Sequence, residues 1–503
     1  MNAGRNALIT KELTVSATEL LVRKTGPGLC VVLLAVGCAT AGQPSSAVPA
    51  LDAEYDVVIR NGRVMDPASG TDMIANVGIR DDKIAAISSR PLRGRSTLDA
   101  SGLVVAPGFI DILASPPRQV EGQSFKIMDG VTTVLGMHGG PVEVPAWYAE
   151  RGEAGSLTNY GTVIGHAGLR AAVGITDRYA AATDEQIQQM VPLAERGIQQ
   201  GAIGIGFGLE YVPGASRMET FELFRVAGRY NVPVHLHIRF SDPEPPGTNF
   251  EALEEVIAAA AVSGASAQVV HINSTGGTWT MRQSLGLLEG ARMRGLDIMA
   301  DVYPYEAWST GLSTARFDPG FLKNFRIEYS DIEVVSTGER LNEETFNRYR
   351  AEGNVSVIAH AMPKEDLVAA LQHPLVMIGS DGVINNGRGH PRGAGTFARV
   401  LGRYVRDEGH LSLMDGLRKM TIMPASRLEE SAPMMRNKGR IKVGADADIT
   451  VFDPNTIIDN ATFQNPAQFS TGVRHVLVNG VVTVEDGAIR DGVKPGRPIR
   501  RAG

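Results

Sequence analysis

Pro233-Val-His-Leu-His-Ile-Arg239 is the stretch on which the fold turns. It is short and β-branched, with Val234, Leu236 and Ile238 alternating with His235 and His237, and alternate residues of a strand share a face. Seven comparable apolar runs lie at 104–113, 131–138, 160–166, 202–210, 268–274, 298–305 and 376–381, and helix-length segments separate them. Near-continuous apolar strands alternating with helices predict a parallel sheet covered on both faces. Eight such units predict a closed (β/α)8 barrel, an α/β fold that takes about 250 residues or more. A further apolar run at 355–360 precedes the last strand, and the stretch 306–372 is too long for a connection. It reads as an insertion with helices of its own.

Chemistry on such a barrel sits at the carboxyl ends of its strands. The second strand ends in His138, the third in His166, the fifth in His235-Leu-His237-Ile-Arg239, the sixth in His271 and the eighth in Asp381. The chain has 10 histidines, so half of them fall at these ends. A lone strand-end histidine is more often structural. Imidazoles on neighbouring strands converge on one point, and three neutral ones leave a fourth position on a zinc ion open for water, whose pKa falls to about 7.

The ends of the chain read differently. Tyr55-Asp-Val-Val-Ile-Arg60 alternates and runs into Asn61-Gly62, a hairpin-turn signal. Residues 77–80 and 84–87 flank Asp81-Asp82-Lys83, and 441–443, 447–452 and 473–478 repeat the short alternating pattern before Asn479-Gly480. These strands predict one small discontinuous β-sandwich, 54–106 with 431–503, around a barrel spanning 107–430.

Arg23-Lys24 precedes the apolar run Leu29-Cys30-Val31-Val32-Leu33-Leu34-Ala35-Val36, followed by Gly37-Cys38. Basic residues, a short apolar core and small residues at a cut point are secretory-signal features, and the core is too short to span a bilayer. Leu34-Ala-Val-Gly-Cys38 resembles a bacterial lipoprotein box. Residues 1–38 are therefore expected to be a lipoprotein-type signal with Cys38 lipidated, and the Ala-, Ser- and Pro-rich 39–53 a flexible tether. This predicts an exported protein whose only membrane contact is its lipid anchor, with its body in the periplasm. The two cysteines, Cys30 and Cys38, both precede the body, which removes a disulfide framework, a Cys-ligated metal and a cysteine nucleophile. A net charge of −6 argues against a nucleic-acid partner.

Together these stretches resemble the amidohydrolase superfamily, in its D-aminoacylase (N-acyl-D-amino-acid deacylase) and D-glutamate deacylase-like branch. The carriers are Asp56-Val-Val-Ile-Arg-Asn-Gly62, Val105-Ala-Pro-Gly-Phe-Ile-Asp111, Gly130-Val-Thr-Thr-Val134, Gly204-Ile-Gly-Phe-Gly-Leu-Glu-Tyr211, Asp301-Val-Tyr-Pro-Tyr305, Gly379-Ser-Asp-Gly382, His390-Pro-Arg392, Gly395-Thr-Phe397 and Gly444-Ala-Asp-Ala-Asp448. The resemblance implies a metal-dependent hydrolase that cleaves the amide bond of an N-acyl (D-)amino acid or a related small acylated compound. It implies metal-binding roles for His237 and His271, and water activation and proton shuttling for Asp381. Arg392 would hold the substrate carboxylate, with Arg239 as a second candidate, and Tyr303 would stand near the scissile carbonyl. The 306–372 insertion would act as a lid.

The sequence departs from that branch at three places. Its first strand usually ends Asp-x-His-x-His, whereas here it reads Asp111-Ile-Leu113-Ala-Ser115. Leu113 and Ser115 share the face two ligands would use, so one of two metal positions is expected to be lost. His138 stands where the branch often has a ligating cysteine, which gives an expected set of His138, His237, His271 and Asp381 around one zinc ion, with manganese, iron and cobalt open to the same donors. Asn273 replaces a common lysine and alters the polar contacts to substrate. His166 and His235 are expected behind the ligands as supports. Two other readings stand beside this one. One is a non-catalytic, envelope-anchored ligand-binding relative that lost the strand-one histidines. The other is a cyclic-amide or dipeptide hydrolase, disfavoured because strands three and four hold no lysine for carboxylation.

Overall fold

The computed structural model describes residues 54–501. The expected signal 1–38, with Cys38, and the tether 39–53 lie outside the described residues. Strands from both ends of the chain form one nine-stranded sheet. Glu54–Asp66, Thr71–Arg80, Lys83–Ser88, Arg93–Asp99 and Val104–Pro107 come from the front, and Ile449–Phe452, Val473–Val478, Val481–Glu485 and Ala488–Ile489 from the back. The seam is the antiparallel pair of Val104–Pro107 with Ile449–Phe452, where Val105 faces Val451. Its apolar core gathers Val64, Ile79, Val105, Ile449, Val451 and Leu477.

Two Asn-Gly pairs behave differently. Asn479-Gly480 turns the chain between Val473–Val478 and Val481–Glu485, with φ of 49° and 80°, as a type I′ hairpin requires. Asn61-Gly62 lies inside the strand Glu54–Asp66 instead, at a break of register between Ile59 and Gly62. The positive φ of 59° at Asn61 serves a bulge there, and the chain turns only after Asp66.

The central strands are parallel. Phe109–Asp111, Val131–Gly136 and Asn159–Thr162, joined by Pro498–Ile499 from the chain end, form a four-stranded sheet. Ile164–Gly165, Ile205–Gly208, Val234–His237, Ala267–Val269, Ile298–Val302 and Val376–Ile378 form a six-stranded one. Only Val163 separates Asn159–Thr162 from Ile164–Gly165. At the other edge the Asp381 amide donates to Leu113 O at 2.5 Å, and the Ser380 amide donates to Asp111 Oδ1 at 2.9 Å. The run read as one strand, 104–113, is divided. Val104–Pro107 belongs to the nine-stranded sheet and Phe109–Asp111 to the parallel one, with Gly108 between them. A Cβ on Gly108 would collide with the Thr132 side chain, so only glycine fits this crossing.

Helices return the chain between parallel strands, and two of them start on reciprocal caps. Thr183 and Gln186 box Asp184–Gln199, and Thr248 and Glu251 box Asn249–Ser263. Within 306–372, Trp308–Gly311, Ser356–Ala359 and Ile332–Val334 make a three-stranded antiparallel sheet. Helix Glu343–Glu352 accompanies it over a core that includes Trp308, Phe317, Phe321, Phe346 and Val357. The extra apolar run is therefore the middle strand of this small sheet. Among the described residues, no helix is long and apolar enough to cross a membrane.

Candidate metal centre

His138 follows the strand Val131–Gly136, His271 follows Ala267–Val269 and Asp381 follows Val376–Ile378. One ligating atom from each lies within 4.8 Å of the others. The His138 and His271 ring centroids are 6.0 Å apart, and His271 Nε2 is 3.8 Å from Asp381 Oδ2. His271 and Asp381 both adopt left-handed backbone, with φ of 33° and 50°. Non-glycine residues accept that conformation only where surrounding contacts hold them. For His271 the anchor is its amide donating to Asp301 Oδ1 at 2.6 Å, and for Asp381 it is the bond to Leu113 O.

His237 ends Val234–His237 and sits beside this group rather than within it. Its ring centroid is 4.8 Å from that of His271, while its Nε2 meets Glu210 Oε2 at 2.5 Å. Its Nδ1 is buried and without a hydrogen-bond partner. Burial pushes the His237 imidazole below its ordinary pKa despite the Glu210 hydrogen bond. Burial, and then the neighbouring His237 and His138, push His271 well below. Burial raises the Glu210 carboxyl, but Arg316 and His237 more than offset this and leave it below its ordinary value. Neutral imidazoles beside ionised carboxylates are the donor set a divalent transition metal requires. The buried, unpartnered Nδ1 of His237 and the three-residue cluster therefore fit a zinc-type ion.

Arg392 sits over the group. Its Nη2 forms an ion pair with Asp381 Oδ2 at 2.8 Å, its guanidinium lies 4.4 Å from the Tyr303 ring centroid, and its Nε and Nη1 have no partner. The Tyr303 hydroxyl is buried and unpartnered, and burial pushes its pKa up to about 12, which keeps it a hydrogen-bond donor.

Two expected substrate contacts are engaged elsewhere. Arg239 donates Nε and Nη2 to the Glu255 carboxylate, both at 2.8 Å, and Nη1 to Ala215 O. A guanidinium so placed anchors the loop after strand five. Asn273 Nδ2 donates to Tyr303 O at 3.0 Å and Tyr305 O at 3.3 Å, so it ties strand six to strand seven. His166 opens the helix His166–Ala172 and bonds Glu219 through Nε2 at 2.6 Å; Arg170 binds the same carboxylate. That ion-pair group stands apart from the ligand cluster. His235 is fully buried with both ring nitrogens unpartnered and also lies outside the cluster.

Three residues near the site escape a reading of the sequence. Glu210 sits one turn past strand four, inside the Gly204–Tyr211 motif, and Arg316 comes from the insertion. Lys126, on the helix Val120–Met128, reaches Asp111 and Ser380 beneath Asp381. A cavity of about 580 Å³ opens beside Glu210 and Arg316, walled also by Asp242, Phe240 and Phe325.

Comparison with known proteins places the chain in a family. The Amidohydrolase family profile matches residues 339–484. N-acyl-D-glutamate deacylase of Alcaligenes xylosoxydans xylosoxydans is 32% identical over 89% of this chain and 97% of its own length. The structure of N-acyl-D-glutamate deacylase from Bordetella bronchiseptica, complexed with zinc and a phosphonate mimic of the tetrahedral intermediate, superposes with a TM-score of 0.78 at 30% identity, over 89% of this chain and 100% of that one. A D-aminoacylase structure, described by one-metal activation and second-metal attenuation of a binuclear center, matches with a TM-score of 0.77 at 28% identity, over 89% and 100% of the two chains. The chain belongs to the amidohydrolase family, in the branch that contains D-aminoacylase and N-acyl-D-glutamate deacylase.

Proposed function

We propose that this chain is a mononuclear zinc deacylase that hydrolyses the amide bond of N-acyl-D-amino acids. The observation that carries the reading is the approach of His138, His271 and Asp381 at three strand ends, with Arg392 fixed on the Asp381 carboxylate. Zinc, when bound, polarises the scissile carbonyl and lowers the pKa of its water. His138 and His271, with His237 beside them, are the residues that would hold it. Leu113 is fully buried and apolar where the branch has an imidazole, and Ser115 is exposed, which supports one ion rather than two.

Asp381 stands where a carboxylate can take the proton of the attacking water and return it to the leaving amine. Arg392 keeps two donors open for the carboxylate of the substrate amino acid, and a guanidinium fork matches a carboxylate bidentately. The Tyr303 hydroxyl, held neutral, is a donor for the scissile carbonyl oxygen. The two parallel sheets, joined through Val163 and through Asp381 to Leu113, are read as one (β/α)8 barrel, with 306–372 as its lid. The nine-stranded sheet is read as the flanking β-sandwich. Export as a lipoprotein anchored through Cys38 belongs to the same proposal.

Purified protein should carry about one equivalent of transition metal, and Asp381→Asn should lose hydrolysis of N-acetyl-D-amino acids. Metal-free protein with full activity would overturn the reading.

A further inference from the structure

Three side chains converge on one carboxylate oxygen. Glu210 lies in the single turn Leu209–Tyr211 after the strand Ile205–Gly208. Its Oε2 meets His237 Nε2 at 2.5 Å, Ser241 Oγ at 2.6 Å and Arg316 Nη1 at 2.8 Å. Arg316 is itself fixed. It donates Nη2 to Ser274 O at 2.6 Å, and its guanidinium lies 4.1 Å from the Trp308 ring centroid and 4.8 Å from that of Phe325.

The contact between Glu210 and His237 sets a tautomer. A carboxylate paired with an arginine has no proton to give, so the hydrogen in the short contact belongs to His237 Nε2. The lone pair of the ring is then on Nδ1, which is buried and has no partner, and the ring borders that of His271 at 4.8 Å. Without the carboxylate, the ring would be free to exchange tautomers, and a neutral Nε2 lone pair would turn to Arg316, which stands 3.3 Å away.

We propose that Glu210 is a positioning residue for the metal: it fixes His237 in the tautomer that offers Nδ1 to the ion, and Arg316 of the insertion holds Glu210 in that place. This rests on the zinc reading above and gives His237 its orientation within it. Metal-ligating histidines characteristically donate their second ring nitrogen to a carboxylate, and loss of that partner weakens metal binding about 10–100-fold. The dependence is sharper in this chain because Leu113 and Ser115 leave strand one without an imidazole, so the ion relies on the histidines that remain. It also links the insertion to the metal: through Arg316, residues 306–372 touch both Glu210 and His237.

The test measures zinc affinity by competition with a chromophoric chelator on the full chain, with turnover read separately at saturating zinc. Glu210→Ala should weaken zinc binding about 10–100-fold. Glu210→Gln, whose amide oxygen still accepts from Nε2, should lose less, and Arg316→Met should fall between them. At saturating zinc the Glu210→Gln variant should regain most of its kcat, because the carboxylate touches no reacting atom. Should Glu210→Ala fail to fold, Ser241→Ala, which removes one support of the carboxylate and leaves His237 untouched, should show a smaller loss of affinity in the same direction. Glu210→Ala with wild-type zinc affinity would overturn the proposal, as would His237→Ala with wild-type affinity. A wild-type protein that binds no zinc would overturn the metal reading itself.

Discussion

Lys126 places its ammonium 2.9 Å from Asp111 Oδ2, and neither side chain reaches solvent. The same nitrogen donates to Ser380 Oγ at 2.7 Å, and Ser380 Oγ donates in turn to Asp111 Oδ2 at 2.6 Å. The first parallel strand is thus tied to the residue before Asp381. Removing one partner of a buried pair leaves the other charge uncompensated, at a cost of about 3–5 kcal/mol. Lys126→Met is therefore expected to lose about that much unfolding free energy in urea titrations. Ser380→Ala, which deletes a neutral partner of both charges, should lose less, about 1.5–3 kcal/mol. Equal losses for the two would contradict a charge-centred tie.

Arg392 links the proton-handling carboxylate to the expected substrate carboxylate. Hydrogen bonds to charged groups are worth about 1.5–3 kcal/mol. Arg392→Met should therefore raise KM for N-acetyl-D-amino acids by about 10–100-fold. The comparison substrate is an N-acyl amine without a carboxylate. Its KM should barely move, and an equal rise for both substrates would show that Arg392 acts only through Asp381.

Arg239 has the sequence position of a substrate ligand, but its donors are committed to Glu255 and Ala215. The expectation is a stability variant: Arg239→Met should lower the denaturation midpoint by an amount worth about 3–5 kcal/mol while KM stays within about two-fold, since each of its three nitrogens already bonds a partner inside the protein. A large KM change with unaltered stability would return Arg239 to the substrate.

These cases show what sequence patterns carry. Parallel strands covered by helices bring their carboxyl ends together whatever the loops do, so periodicity alone groups His138, His271 and Asp381. Asn61-Gly62 misleads because positive φ serves a bulge as well as a turn, and the choice belongs to the register with Thr71–Arg80. Asn273 and Arg239 mislead for another reason: their partners lie 30 and 16 residues away, and no local pattern reports which neighbour a side chain will meet. Glu210 and Arg316 are 106 residues apart, and Arg316 sits in an insertion without the strand–helix alternation that orders the remainder. The one signal for Glu210 is its place at the end of strand four beside Tyr211, where a carboxylate stands at a strand end instead of an imidazole.

His390 gives the pH dependence. Its Nε2–H donates to Ala307 O at 3.0 Å, and its Nδ1 accepts the Arg392 amide at 3.1 Å, so both nitrogens are committed in the neutral form. Burial first, then the Arg392 charge, hold its pKa well below the ordinary 6.5. In the unfolded chain the imidazole takes up a proton as pH falls through about 6.5, while the folded protein refuses it. Above that pH both states are neutral and the group contributes no slope. Below it the unfolded state binds more protons, so stability falls by about 1.4 kcal/mol per pH unit for this one residue until the folded pKa is reached. His390→Leu should be less stable than wild type at pH 7, having lost two hydrogen bonds, yet its stability should decline less steeply between about pH 6.5 and 5. The measurement is the urea midpoint and slope of metal-free wild type and variant across that range. The difference between their profiles removes the other buried histidines from the comparison, and parallel profiles would mean that His390 already takes up a proton in the folded state.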